Sequence, residues 1–114
     1  MPKNIFIVED DPLVAMMLEN YLDAIERQTV GCAEDVASAL AGIAELTFDA
    51  AIVDVHLAGG ETSEPVAAAL KAANIPFIMT TGSGVSSDPA FDGAPFLTKP
   101  FTLANLEAAL SQLR

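Results

Sequence analysis

Glu9, Asp10 and Asp11 follow directly on the apolar string Ile5-Phe6-Ile7-Val8, and Asp54 interrupts a second string, Ala-Ala-Ile-Val-Asp-Val-His-Leu, over residues 50–57. Lys99, one of 5 bases, sits in Phe96-Leu97-Thr98-Lys99-Pro100-Phe101, and Thr80-Thr81-Gly82 closes another apolar run. If the strands ending in these acids are neighbours, ~4.8 Å apart, their terminal carboxylates converge. Packed carboxylates repel, and a hard divalent cation with oxygen ligands relieves them. Mg²⁺ takes one or two carboxylates, keeps several waters and shares phosphate oxygens with them. A lone lysine opposite completes a site for a phosphoryl group. A carboxylate is then the nucleophile, the cation neutralises the transferring oxygens, and the ammonium pairs with one of them.

Each residue also has a plainer reading. Asp11-Pro12 is explained as helix cap and first-turn proline. Glu9 and Asp10 read singly as solvated acids, Lys99 as a surface base, and Thr81 as ordinary strand chemistry. Asp54 is harder to dismiss, because a charge inside an apolar string needs a partner or a function. Glu9, Asp10, Asp54, Thr81 and Lys99 together, at successive run ends, carry the signal that none carries alone.

Short apolar runs that could position them recur at residues 5–8, 29–33, 50–53, 77–79 and 94–97. Helical periodicity fills the intervals. Val14, Leu18, Tyr21, Leu22 and Ile25 form one face, Val36, Leu40 and Ile43 a second, and Leu103, Leu106, Leu110 and Leu113 a last one. Val66 and Leu70 lie in an alanine-rich segment that also reads as helix, and Thr102 is the expected N-cap of the last helix. Apolar strands alternating with helices imply a parallel sheet covered on both faces, a doubly wound α/β domain whose ligands sit beyond the carboxyl ends of the strands.

The 114 residues leave room for a single domain, 1–114, with no appended output domain expected. Apolar residues make up 52%, which excludes a disordered chain. With 16 acids against 5 bases the net charge is −11, so neither a nucleic acid nor an anionic membrane is an expected partner. The string Ile5-Phe6-Ile7-Val8 is too short for a signal-peptide core, no later run approaches the ~18 apolar residues of a membrane span, and the expected location is cytoplasmic. Cys32 reads as a small buried hydrophobe, and Met16, Met17 and Tyr21 as core or rim. With 1 His and 1 Cys, a zinc site at His56 is not expected. Gly82-Ser83-Gly84 lacks the Gly-Lys-Ser/Thr of a nucleotide loop.

Val8-Glu9-Asp10-Asp11-Pro12, Asp54, Thr81 and Lys99-Pro100-Phe101 together resemble the signature of the response-regulator receiver domain of two-component signalling. The resemblance covers the whole chain and implies a flavodoxin-like five-stranded sheet of order 2-1-3-4-5. Residue by residue, it implies Asp54 as phospho-acceptor, Asp10 and Asp54 as Mg²⁺ ligands, Glu9 acting through bound water, and the His56 backbone carbonyl as a further ligand. It also implies Thr81 as switch hydroxyl, Lys99 as phosphate-pairing base and Phe96 as rotating aromatic switch.

The chain departs from the common receiver pattern in two places. After Asp54, Val55-His56-Leu57-Ala58-Gly59-Gly60 replaces the usual proline and its following turn pair, and Gly-Ser-Gly follows Thr81. These features resemble the single-domain alphaproteobacterial receivers of the "FATGUY" type, served by histidine kinases of the HWE and related families. Residues 82–94, where a receiver places its fourth helix, hold Gly82, Gly84, Gly93 and Pro89 and few apolar residues. A short or mobile helix is expected there, with Asp88 as the cap of a brief turn.

The resulting expectation is a stand-alone receiver that takes a phosphoryl group from a phosphohistidine onto Asp54. It would act as phosphorelay shuttle, sink or diffusible regulator, with a histidine phosphotransfer protein as a possible second partner. Its chemistry would be self-catalysed transfer and slow autodephosphorylation, not turnover of a metabolite. The alternatives are a phosphorylation-independent interaction module and an aspartyl-phosphate hydrolase. The hydrolase would need a second acid where His56 stands.

Overall fold

The computed structural model describes residues 2–82 and 88–113. Its five strands are β1 (Asn4–Val8), β2 (Gln28–Ala33), β3 (Ala50–Asp54), β4 (Phe77–Thr81) and β5 (Phe96–Thr98). All pair in parallel, in the order β2-β1-β3-β4-β5. The order reverses between β1 and β3, so their carboxyl ends flank the crevice where such sheets take ligands. Among the described residues four α-helices connect them: α1 (Pro12–Ala24), α2 (Val36–Glu45), α3 (Glu64–Ala72) and α4 (Leu103–Ser111).

Strand alternation divides the core into two layers. Phe6, Val8, Val53 and Met79 face Ala39 of α2 and Val66 and Leu70 of α3. Ile5, Ile7, Ile52 and Ile78 face Leu18 and Leu22 of α1 and Leu106 and Leu110 of α4. Every residue of β3 and β4 is buried, which explains their unbroken apolar runs. A Cβ at Gly42 of α2 would run into the Phe6 ring, so glycine there lets the helix lie close on the sheet.

The caps form as the sequence implies. Asp11 accepts from the Leu13 N–H at 2.9 Å, and Thr102 and Asn105 make a reciprocal capping box at the start of α4. Asp35 also caps α2, through the Ser38 N–H at 2.8 Å.

Four expectations need correction. Cys32 is exposed, because β2 is an edge strand and most of its residues stay in partial contact with solvent. Partial desolvation and the nearby Glu19, Glu34 and Glu9 push its thiol up, away from reactivity. Leu40 is also exposed, Ala39 being the buried residue of α2, and Met16 is 52% exposed on α1. The last strand is Phe96–Thr98 and not 94–97, Pro95 contributing only its carbonyl to the Met79 N–H at 2.9 Å.

In 88–94 the chain makes a single 3₁₀ turn, Pro89–Phe91, capped by Asp88 through the Ala90 N–H at 2.9 Å. Buried Phe91 anchors it. The part of the expected short or mobile helix that falls on 83–87 lies outside the described residues.

Candidate functional site

Glu9 leaves the end of β1 with its N–H bonded to Ala33 O at 2.9 Å, which turns its side chain inward until 2% of the residue is exposed. Its Oε1 lies 2.8 Å from Lys99 Nζ, and its Oε2 accepts from the Asp11 N–H at 3.2 Å. Asp54 is the last residue of β3 and is buried. Its Oδ2 accepts from Lys99 Nζ at 3.0 Å. Lys99 is fixed from behind by its own N–H, which donates to Thr81 O at 2.8 Å. The Lys99-Pro100 peptide is cis.

Burial pushes the Glu9 carboxyl up to about 7, with the Lys99 hydrogen bond opposing that and neighbouring Asp54 reinforcing it. Burial alone would lower the Lys99 ammonium, but its hydrogen bonds to Glu9 and Asp54 outweigh burial and hold it above its usual range. One ammonium thus serves two buried carboxylates, and the site carries an excess of negative charge.

Exposed Asp10 adds to that excess. Carboxylate oxygens of Glu9, Asp10 and Asp54 lie within 4.8 Å of one another. The donor set is hard oxygen, the charge is unbalanced, and one flank opens to water, which together fit a cation such as Mg²⁺.

The structure therefore brings Glu9, Asp10, Asp54 and Lys99 into one cluster. His56 is exposed two residues past Asp54, its backbone bridged to Thr62. Thr81 is joined to Lys99 through its backbone carbonyl, and Phe96 starts the neighbouring strand β5. Both lie on the sheet face that packs on α2 and α3, by alternation with Met79 and by its register opposite Phe96. Thr81 is buried, and half-buried Phe96 meets Phe91 edge-on at 6.3 Å and 74°.

Sequence reasoning missed the character of Thr80. It is Thr80, not Thr81, that stands in register beside Asp54. Its Oγ1 is buried without a hydrogen-bond partner among the described residues. The two adjacent threonines at the run end were visible, but which of them faces which layer depends on register.

The profile of the response regulator receiver domain matches residues 5–111. SdrG from Sphingomonas melonis Fr1 superimposes with a TM-score of 0.86 at 49% identity, over 96% of this chain and 94% of that one. The BeF3-activated conformation of SdrG from Pseudomonas melonis Fr1 gives 0.81 at 48% identity, over 96% and 93%. The phyllosphere-induced regulator PhyR of Methylorubrum extorquens is 32% identical over 98% of this chain and 43% of its own length. The chain thus spans less than half the length of that relative.

Proposed function

The chain belongs to the response regulator receiver domain family, and from that premise we propose that Asp54 accepts a phosphoryl group from the phosphohistidine of a histidine kinase. An Asp54 carboxylate oxygen attacks phosphorus, the P–N bond breaks, and the imidazole leaves with the electron pair and takes up a proton. Lys99, already at hydrogen-bond distance from Asp54, pairs with an oxygen of the arriving group. Mg²⁺, held by Asp10, Asp54 and the His56 carbonyl, with Glu9 acting through water, would supply charge neutralisation. Slow attack of water on the phosphoryl group releases inorganic phosphate and restores Asp54. The protein is on this reading not a metabolic enzyme, since its phosphoryl transfer and autodephosphorylation act on itself.

The single observation behind this reading is the position of Lys99 Nζ, 2.8 Å from Glu9 and 3.0 Å from Asp54 at adjacent strand ends. A solvated surface cluster would not bury Glu9 and Asp54 to 2% and 6% exposure around one lysine. The output is a change of partner, with Thr81 and Phe96 as switch residues. The protein serves in the cytoplasm as shuttle, sink or diffusible regulator to an HWE-type kinase and a histidine phosphotransfer protein. No helix among the described residues is long and apolar enough to cross a membrane.

Radiolabelled phosphoryl transfer from an autophosphorylated HWE-type kinase tests the assignment. Wild type should take the label and Asp54→Asn should not. Return of label to the kinase supports a shuttle, its loss as inorganic phosphate supports a sink, and label on Asp54→Asn sinks the reading.

A further inference from the structure

Beyond Asp54 the chain runs through a loop, 55–63, that closes on itself. The Leu57 N–H donates to Glu61 O at 2.8 Å and the Ser63 N–H to Val55 O at 2.9 Å. The Ser63 hydroxyl donates to that same carbonyl at 3.2 Å, and His56 bridges Thr62. Gly59 and Gly60 turn the tip at φ 75° and 77°, a region that favours glycine. No proline stiffens this loop. It is instead fastened to the start of α2 at two points. The Ala58 N–H donates to Glu34 O at 3.1 Å, and Glu61 Oε1 accepts from the Val36 N–H at 3.0 Å. The same short junction, 33–36, holds Glu9 through its N–H to Ala33 O.

Helix α2 does not depend on Glu61 for a cap, because Asp35 already caps it through Ser38. Glu61 is exposed, so its bond contributes little to global stability. Its effect falls on the loop, where it adds a side-chain hydrogen bond to the backbone bond from Ala58 to Glu34 O just before α2. We propose that Glu61 is a positioning residue that latches loop 55–63 to α2 and so holds the His56 backbone in place beside Asp54 for cation binding. This rests on the reading of Asp54 as a cation-assisted acceptor and extends it to a residue outside the cluster.

The test compares Glu61→Ala, Glu61→Gln and Asp35→Ala by hydrogen exchange without metal and by titration with Mg²⁺. Glu61→Ala and Glu61→Gln lose the same charge, but only Gln keeps an acceptor oxygen for the Val36 N–H. Glu61→Ala should speed exchange at the Leu57 and Ser63 amides and weaken Mg²⁺ binding about tenfold relative to Glu61→Gln, as loss of an outer support does at metal sites. Asp35→Ala should lower the melting temperature yet leave both readouts near wild type. Wild-type exchange at Leu57 and Ser63 in Glu61→Ala overturns the latch, as does Asp35→Ala reproducing its effects. If wild type binds no Mg²⁺, the cation reading falls, and the exchange measurement still decides whether Glu61 holds the loop.

Discussion

Lys99 Nζ and Asp54 Oδ2 lie 3.0 Å apart across 45 residues of sequence, and the backbone N–H of Lys99 is bonded to Thr81 O at 2.8 Å. The group that pairs with Asp54 is therefore tied to the end of β4. On the proposed reading, a shift of the ammonium from the carboxylate toward a phosphoryl oxygen would pull on the junction of β4 and β5, near Thr81 and Phe96.

Lys99→Ala should accordingly still take phosphate at Asp54, more slowly, but lose the conformational response. Two-dimensional amide spectra with and without a beryllofluoride mimic measure this. Thr81 and Phe96 amides that shift in the mutant as far as in wild type would refute the coupling.

Mg²⁺ should stabilise the protein by mass action. At a concentration about a hundredfold above its Kd the gain is about 2.7 kcal/mol, a rise of roughly 10 °C in melting temperature for a chain this size. Asp10→Asn should remove most of that rise and leave the apo protein as stable or more so, since one of three repelling acids is gone. An unchanged wild-type melting temperature would show that the acids hold no cation.

Glu9 makes apo stability depend on pH. The folded carboxyl keeps its proton up to about 7, against 4.5 unfolded, chiefly because it is buried. The folded state therefore binds more protons across that interval, and its stability falls as pH rises from 4.5 to about 7. The contribution is on the order of 3 kcal/mol. Urea melts at pH 5 and pH 7.5 should show Glu9→Gln losing less stability than wild type over this span, and saturating Mg²⁺ should shrink the wild-type drop. Equal losses in mutant and wild type would contradict the assignment.

Thr80→Val should stabilise the protein. The buried Oγ1 lacks a partner among the described residues, and valine keeps the shape and the branched Cβ suited to β4 while removing a desolvated hydroxyl. Such a group costs about 1–3 kcal/mol when buried unpaired. Thermal melts should shift upward by several degrees, and a downward shift would mean that the hydroxyl is satisfied in solution.

The sheet was legible because β3 and β4 are buried on both faces and read as unbroken apolar runs. The acids and Lys99 were legible because they terminate or interrupt such runs. Cys32 and Leu40 misled, since local apolarity does not encode that β2 is an edge strand or which face of α2 meets it. The orphaned hydroxyl of Thr80 and the bond from Val36 to Glu61 depend on contacts between distant segments, which no local pattern records. The only hint of the Glu61 latch was the missing proline after Asp54.

Incubation with acetyl phosphate and Mg²⁺, followed by intact mass, tests the central claim without any kinase. Wild type should gain one phosphoryl group, lose it on standing, and gain none when Mg²⁺ is chelated or when Asp54 is replaced by alanine. A wild-type mass that never changes, or an Asp54→Ala protein that is modified equally, would contradict the assignment of Asp54 as the acceptor.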